Sequence, residues 1–182
     1  MPAKRVLSIL MILIVLLVSS SCNDNRYAKD MVDNAYDSIV QYDSKSLYDS
    51  FSARLKKNKG LKDDLDSFMS EIEKLDLSFE DAVIEYSAGG ESKDYHFGKI
   101  TRWGGEAIIE SIIGADNAQY TIHISYIAIN ESDESKVGLF SIRLYEEGNK
   151  NEEDEYGLLL EIGENSGEYL FVNRLIKTKP LQ

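Results

Sequence analysis

Two histidines are the residues of this 182-residue chain best suited to acid–base chemistry. The ordinary pKa of histidine lies near neutrality, so its side chain can accept and return a proton at physiological pH. His123 alternates with Thr121 and Ser125, which places it on the face of a predicted strand that points away from the core. His96 lies near the start of another predicted strand. Neither position predicts a catalytic residue.

No pattern of metal ligands accompanies these histidines. A zinc site is built from His, Cys and carboxylate ligands at close spacing, and the chain offers two histidines without a matching carboxylate. The acidic segment EEGNKNEEDEY (146–156) lacks the alternating oxygen ligands and central glycine of an EF-hand calcium loop. We predict no metal site and no cofactor, and we interpret the acidic segment as a solvated loop.

Three aromatic side chains are candidates for a ligand pocket. Tyr36 lies on the flank of the apolar stripe of the first predicted helix, and Tyr126 lies on the core face of a predicted strand. Both could present a hydroxyl group to a pocket, although tyrosines whose polar tips lie at the edge of a core show the same pattern. Trp103 precedes Gly104 and Gly105 at a predicted strand end, where it could stack on a ligand or anchor the turn.

Three helices are predicted ahead of the strands, because apolar residues recur every three or four positions. The first covers Tyr27 to Val40, and the second starts at a capping Asp43 and buries residues as far as Leu55. The basic segment KKNKG (56–60) is typical of a helix end, with its glycine as a left-handed cap. The third helix covers Leu61 to Leu75.

The pattern changes to a period of two after the third helix, which predicts strands. In the clearest strand, alternate residues from Tyr120 to Ala128 face the core. Three helices followed by antiparallel strands predict an α+β domain with its helices on one face of one sheet. The predicted strands cover residues 79–86, 95–103, 107–113, 120–130, 137–145, 156–162 and 168–173.

The opposite face of the predicted sheet keeps some apolar character. Its apolar residues are Ile127, Ile129, Val137 and Leu139. An apolar sheet face is typical of an interface, so we predict that a second copy of the chain covers it in a homodimer. This assignment assumes regular strands, since one β-bulge would exchange the two faces.

The charge of the chain excludes one class of partner. It carries 32 acidic and 20 basic residues, for a net charge of -12. Binding of nucleic acid requires clustered Lys and Arg to neutralise phosphates, so we predict no nucleic-acid partner. The acidic balance also disfavours adhesion of the whole domain to anionic lipid. The length suits a single domain with a proper core, and no low-complexity linker divides it.

The first 22 residues have the layout of an export signal. Lys4 and Arg5 precede an apolar run from Val6 to Val18, and three serines then lead to the only cysteine, Cys22. The run is shorter than the roughly 20 apolar residues that span a bilayer. The arrangement resembles the lipobox of bacterial lipoproteins, although Ser19 stands where leucine is usual.

The lipobox resemblance implies a location. In such proteins the chain is cut before the cysteine, whose sulfur and new amino group receive lipid chains. It implies a signal peptide over residues 1–21, a lipidated tether over 22–26 and a domain over 27–182 on the extracytoplasmic face of the cell membrane. Ordinary secretion and a retained membrane anchor are the alternatives.

The helical region also carries a fold resemblance. The segment DNAYDSIVQYDSKSLYDSFS (33–52) resembles the nuclear transport factor 2-like fold, or cystatin-like α+β roll, with its long helix, an aspartate at the turn and a short Leu-x-x-x-Phe helix. LKDDLDSFMSEI (61–72) and KVGLFSIRL (136–144) are similar to segments of uncharacterised lipoproteins of Gram-positive bacteria. The resemblance implies three helices packed on a curved antiparallel sheet.

Function does not follow from this fold, which hosts isomerases, dehydratases, cyclases and binding or assembly modules. Its enzymes use Asp, His or Tyr in the cavity between helices and sheet, and strand alternation places no carboxylate or histidine there. We therefore favour a module that binds a small ligand or a protein partner, or that assembles through its sheet. The alternative is a pocket enzyme of the isomerase or dehydratase type.

Overall fold

The computed structural model describes residues 26–86, 90–148, 157–165 and 168–174. The proposed signal peptide, Cys22 and the tether as far as Asn25 lie outside these residues, so cleavage and lipidation stay predictions. Within the described ranges, no helix is long and apolar enough to cross a membrane.

Three α-helices precede the sheet, as the apolar periodicity predicts. Helix α1 covers residues 26–40, α2 covers Ser44–Ser50 and α3 covers Leu61–Lys74. Asp43 caps α2, because its carboxylate accepts a hydrogen bond from the backbone N–H of Ser46 at 3.0 Å. The predicted apolar stripe of α3 is confirmed, since its buried residues are Leu61, Leu65, Phe68, Met69 and Ile72.

The connection between α2 and α3 differs from the prediction. Helix α2 ends at Ser50, and Phe51 is extended and forms a β-bridge with Leu139. Leu55 is buried from a separate 3-10 turn, Leu55–Lys57. Gly60 has φ -77° and lies at the start of α3, so the predicted left-handed cap is wrong. Pairing of the chain after α2 with the sheet therefore replaces the last helical turn.

Seven antiparallel strands form one open sheet. The sheet order is β1-β3-β4-β5-β6-β7, and β2 pairs with β3 on the same edge as β1. A 3-10 turn, Glu134–Lys136, lies between β4 and β5. The strands are β1 Val83–Glu85, β2 Glu91–His96, β3 Lys99–Ile113, β4 Gln119–Asn130, β5 Gly138–Glu146, β6 Leu158–Asn165 and β7 Glu168–Asn173.

Strand β3 continues through the glycine pair that was expected to end a strand. It runs for 15 residues, and the chain turns earlier, at Phe97 and Gly98, whose φ angles are 48° and 79°. A Cβ atom on Gly104 would lie 2.8 Å from the carbonyl oxygen of Tyr126. The glycines therefore permit close approach of β4, and Trp103 lies inside the strand.

The core face of β4 follows the predicted alternation. Its side chains contact the three helices as part of one hydrophobic core. This regularity holds because Ile and Tyr alternate with smaller or polar residues along the strand. The buried residues are Tyr120, Ile122, Ile124, Tyr126 and Ala128.

Two β-bulges overturn part of the predicted outer face. Between β4 and β5, Ser125 pairs with Ser141 and Tyr126 pairs with Leu139, so β5 has one extra residue there. Leu139 is consequently 0% exposed in the core, and its predicted place on the outer face is wrong. A second register shift pairs Ile129 with Trp103, and Ile129 packs against the core as well.

The remaining two residues of the predicted interface are separated. Ile127 is half-buried and lines a cleft beside Gly104. Val137 is half-buried beside the groove between α1 and α2. The four residues therefore do not form one apolar surface. The homodimer stays a prediction, and this set of residues does not support it.

Because β5 packs closely against β6, we predict that Gly163 does not tolerate a side chain. Gly163 has φ +142°, and a Cβ atom there would lie 2.5 Å from the Cα of Ser141 and overlap the carbonyl oxygen of Phe140. We expect Gly163→Ala to lower the free energy of unfolding by more than about 2 kcal/mol in urea titrations. Gly148→Ala is the control, because Gly148 also has positive φ, +82°, but no described residue lies within 4 Å of the added Cβ atom. Equal losses in the two variants would contradict this packing.

Candidate functional site

Two of the three aromatic candidates line one cavity between the start of α1 and the sheet. Its volume is about 290 Å³. Trp103 and Tyr126 are 1% and 2% exposed, so both belong to the cavity lining but present little surface either to the cavity or to solvent. The other lining residues are Ala28, Lys29, Tyr86, Glu91 and Lys93. We call this site the Trp103–Tyr126 cavity.

Strand pairing positions the two aromatic rings. Trp103 of β3 pairs with Lys93 of β2 on one side and with Ile129 of β4 on the other. Tyr126 pairs with Gly105, which has no side chain, so the phenol ring lies over the β3 backbone. A Cβ atom on Gly105 would lie 2.9 Å from the Tyr126 hydroxyl oxygen. The second glycine of the pair is therefore what allows both rings to share this space.

The indole N–H of Trp103 is the unusual group in this cavity. Its Nε1 atom is buried and has no hydrogen-bond partner among the described residues. A tryptophan N–H can only donate, and leaving a buried donor unpaired costs about 1 to 3 kcal/mol. A molecule that brings an acceptor atom to Trp103 would remove this cost.

A cation and a carboxylate lie at the edge of the same cavity. The Lys93 ammonium group lies 4.7 Å from the centre of the Trp103 ring. It also lies 2.7 Å from a carboxylate oxygen of Glu91.

Helix α1 closes the cavity through a polar cluster that sequence reasoning missed. Lys29 donates a hydrogen bond to the Tyr86 hydroxyl at 2.9 Å, and that hydroxyl donates to the carboxylate of Asp33. Burial and the bond to Asp33 raise the pKa of Tyr86 above its ordinary value. The spacing of Lys29 and Asp33 suits a helical ion pair. Nothing in the sequence linked them to Tyr86.

Tyr36 does not join this site. Its ring packs edge-on against Phe79, with 6.0 Å between ring centres, two turns further along α1 than Ala28. Burial, and then the nearby Asp37 carboxylate, raise the pKa of the Tyr36 hydroxyl. The structure therefore brings together Trp103 and Tyr126 and places Tyr36 at another edge of the core.

The outer face of the sheet, opposite the helices, carries a network of polar side chains around Glu106. The Glu106 carboxylate accepts hydrogen bonds from Arg143 and, at 3.1 Å, from Ser125. Its second oxygen lies 3.5 Å from Nδ1 of His123. Ser141 donates to the Ser125 hydroxyl at 3.3 Å. The predicted outer-face position of His123 is confirmed.

This network is better suited to stability than to proton transfer. The hydrogen bond with His123 and the charge of Arg143 lower the pKa of Glu106, outweighing the effect of its burial. A carboxylate with a lowered pKa accepts a proton weakly, so it is a poor general base. His96, the other histidine, is exposed on β2 with its ring 4.4 Å from that of Phe97.

Comparisons with known proteins add no assignment. No protein-family model matches the chain, and a search of curated proteins found no similar sequence. In the part of the chain that the structure describes, no group of three or more His, Cys, Asp or Glu residues could hold a metal ion. The functional assignment therefore depends on the geometry of the cavity and of the surrounding surface.

The Glu106 network predicts a pH-dependent contribution to stability. Because the folded-state pKa of Glu106 lies below the ordinary value of 4.5, its contribution is complete above that value and is lost as the pH falls through the folded-state pKa. We expect Glu106→Gln to cost about 1 to 3 kcal/mol at pH 6, since it leaves Arg143 without its carboxylate. Urea unfolding of both proteins from pH 6 to pH 3 should show this difference shrinking. A constant difference across that range would contradict the assignment.

Proposed function

We propose that the protein is a lipid-anchored extracytoplasmic module that binds a small ligand in the Trp103–Tyr126 cavity. One observation carries this proposal: the indole N–H of Trp103 is buried without an acceptor among the described residues, and Trp103 belongs to the lining of the cavity. Buried polar groups in folded proteins nearly always have a partner, and exceptions mark functional sites or bound molecules. A binding role accounts for the exception directly.

The lining of the cavity indicates the chemistry of the ligand. A volume of about 290 Å³ suits a small organic molecule. The ligand needs an oxygen or nitrogen acceptor for Trp103 and an apolar body that contacts the Tyr126 ring. The Lys93 ammonium group, paired with Glu91, lines the same cavity and favours a polar group on the ligand. We infer a small molecule with a carbonyl or carboxylate group on an apolar frame.

The lining of the cavity favours binding over catalysis. We propose that the domain belongs to the nuclear transport factor 2-like rolls, an assignment that the order of three helices before an antiparallel sheet supports. An isomerase or dehydratase of this kind would need an acid or base at its cavity. Among the described residues that line this cavity, the carboxylate of Glu91 forms an ion pair with Lys93, and the Tyr86 hydroxyl is hydrogen-bonded to Lys29 and Asp33. No contact of the described residues favours the enzyme alternative.

Lipidation of Cys22 would hold the module at the membrane. Helix α1 begins at residue 26, so only a few residues separate the proposed lipid from the folded domain. Two or more acyl chains give stable attachment, since each buried methylene contributes about 0.8 kcal/mol. The domain would then lie directly against the headgroup region.

A variant without the cysteine tests the anchor. We expect Cys22→Ala to move the protein from the membrane fraction to the soluble or secreted fraction and to abolish incorporation of labelled fatty acid. Ser21→Ala is the matched control, because it changes a neighbouring small residue and leaves the cysteine. Retention of Cys22→Ala in the membrane fraction would contradict lipid anchoring.

Native mass spectrometry of the protein purified from a bacterial host tests the ligand. We expect a co-purifying small molecule with the wild type and at least about tenfold lower occupancy with Trp103→Phe, which keeps an aromatic ring and removes the donor. Tyr36→Phe should keep the ligand, because Tyr36 lies outside the cavity. Absence of any added mass, or equal occupancy in Trp103→Phe, would contradict the proposal.

A further inference from the structure

The chain enters the domain at one end of the sheet, which we call the tether end. The first turn of α1 lies there, since Ala28 and Lys29 line the same cavity as Trp103. Strand β4 ends at this end with Asn130, opposite Arg102. The chain after α2 also returns there, because the backbone N–H of Arg54 donates to Ser135 in the β4–β5 connection at 2.7 Å.

The β2–β3 hairpin projects from the tether end. Residues 95–100 lie beyond the position at which β4 stops pairing with β3. The tip carries two exposed aromatic side chains: Phe97 is 98% exposed and Tyr95 is 62% exposed. A phenylalanine that projects fully into solvent contributes no packing to its own domain.

The conformation of Phe97 strengthens this observation. Its φ angle is 48°, in the left-handed region that glycine and asparagine favour in such two-residue turns. A bulky residue there is strained, and residues in this state cluster at functional sites. Glycine or asparagine at this turn would stabilise the fold more than phenylalanine does. The aromatic side chain therefore points to a contact outside the domain.

Basic residues line a cleft beside this hairpin. The cleft has a volume of about 370 Å³, and Arg54, Arg102 and Lys136 lie around it with apolar Ile127 and Phe140. Ion pairs partly neutralise it: Arg54 lies 2.9 Å from Glu164, and Lys136 lies 3.5 Å from Asp133. Asp94 is the cross-strand partner of Arg102 on β2, and the two side chains form no ion pair. Arg102 is therefore a cation of the cleft that has no ion-pair partner among the described residues.

Acidic residues lie at both ends of the sheet. Asp94, Glu131 and Asp133 belong to the tether end. At the opposite end, Asp76 follows α3, Asp116 lies in the β3–β4 turn and Glu146 ends β5. The end of α3 meets this turn, because the backbone N–H of Ala115 donates to Leu75 at 3.4 Å. In a chain with a net charge of -12, the cleft at the tether end is lined by three basic residues and one carboxylate, Glu164.

We propose that the tether end docks on an anionic membrane surface. Phe97 and Tyr95 enter the boundary between headgroups and acyl chains, where aromatic side chains are favoured. Arg102 and the cleft bind the phosphate of an anionic lipid headgroup, and each such cation adds about 1 kcal/mol of attraction. The inference rests on the lipid anchor of the proposed function, which brings this end to the bilayer. It adds an orientation: the Trp103–Tyr126 cavity faces the membrane side and the β3–β4 turn faces away.

Fluorescence quenching in vesicles tests the docked hairpin. The full-length lipoprotein would be reconstituted into phosphatidylglycerol vesicles with and without brominated acyl chains. We expect Phe97→Trp to show blue-shifted emission that the brominated lipid quenches, after subtraction of the Trp103 signal of the wild type. Ser70→Trp, on the exposed surface of α3, is the control and should show neither change.

The outcomes separate docking from anchoring. Unquenched Phe97→Trp in protein that co-floats with the vesicles would overturn the docking proposal and leave the anchor intact. Protein that does not float would overturn the anchor and, with it, the docked orientation. Quenching of Ser70→Trp to the same extent as Phe97→Trp would also overturn the orientation.

A charge variant tests the cleft. We expect Arg102→Gln to weaken the docked state about fivefold in phosphatidylglycerol vesicles and to have no effect in phosphatidylcholine vesicles. Lys74→Gln, at the far end of α3, is the matched control and should leave quenching unchanged. If millimolar inorganic phosphate reduces quenching of the protein with Arg102 and leaves quenching of Arg102→Gln unchanged, free phosphate competes with the lipid headgroup for the cleft. That result would support the role of Arg102. Equal quenching of the wild type and Arg102→Gln in phosphatidylglycerol would overturn the role of the cleft.

Discussion

Tyr126 packs over Gly105 on the neighbouring strand, and the position of the cavity depends on this contact. Because Gly105 has no Cβ atom, the phenol ring lies directly against the β3 backbone. The ring then stands beside Trp103, whose indole is buried without an acceptor among the described residues. The start of α1 covers both rings. A side chain at Gly105 would displace Tyr126 and remove the space in which a ligand could reach the indole.

The helices and the core face of β4 could be predicted because their signals are local. The apolar stripe of α3 and the alternation from Tyr120 to Ala128 depend only on sequence period. The outer face was harder to predict, because a bulge depends on pairing between strands. The extra residue of β5 opposite Ser125 places Leu139 in the core. No local sequence pattern predicts this β-bulge.

The role of the glycine pair and the location of the cavity were hard to predict for the same reason, because both depend on contacts between strands. Glycine weakens most strands, so Gly104 and Gly105 were read as a strand end, whereas here they admit Tyr126 from the adjacent strand. Trp103 and Tyr126 were identified by residue type. Their shared cavity, and the Lys29–Tyr86 contact that closes it, join residues that are distant in sequence, so only the tertiary structure shows them.

The surface charge and the proposed lipid anchor together suggest one orientation of the molecule. If the chain is anchored as proposed, its acidic balance disfavours contact of most of its surface with anionic lipid. The cleft lined by Arg54, Arg102 and Lys136 and the aromatic hairpin tip lie near the start of α1. A ligand-binding cavity at that same end would sample molecules close to the bilayer. The polar network around Glu106 stabilises the outer face of the sheet and leaves the cavity to the two aromatic rings.

The central claim is that the Trp103 indole donates a hydrogen bond to a bound ligand. Trp103 is the only tryptophan of the chain, so its indole N–H gives one resonance in a nitrogen–proton correlation spectrum. The measurement compares protein purified under native conditions with the same protein after unfolding, dialysis and refolding. We expect the native preparation to show a downfield, exchange-protected indole proton that moves when the ligand is removed. An identical indole resonance in the two preparations would contradict the claim.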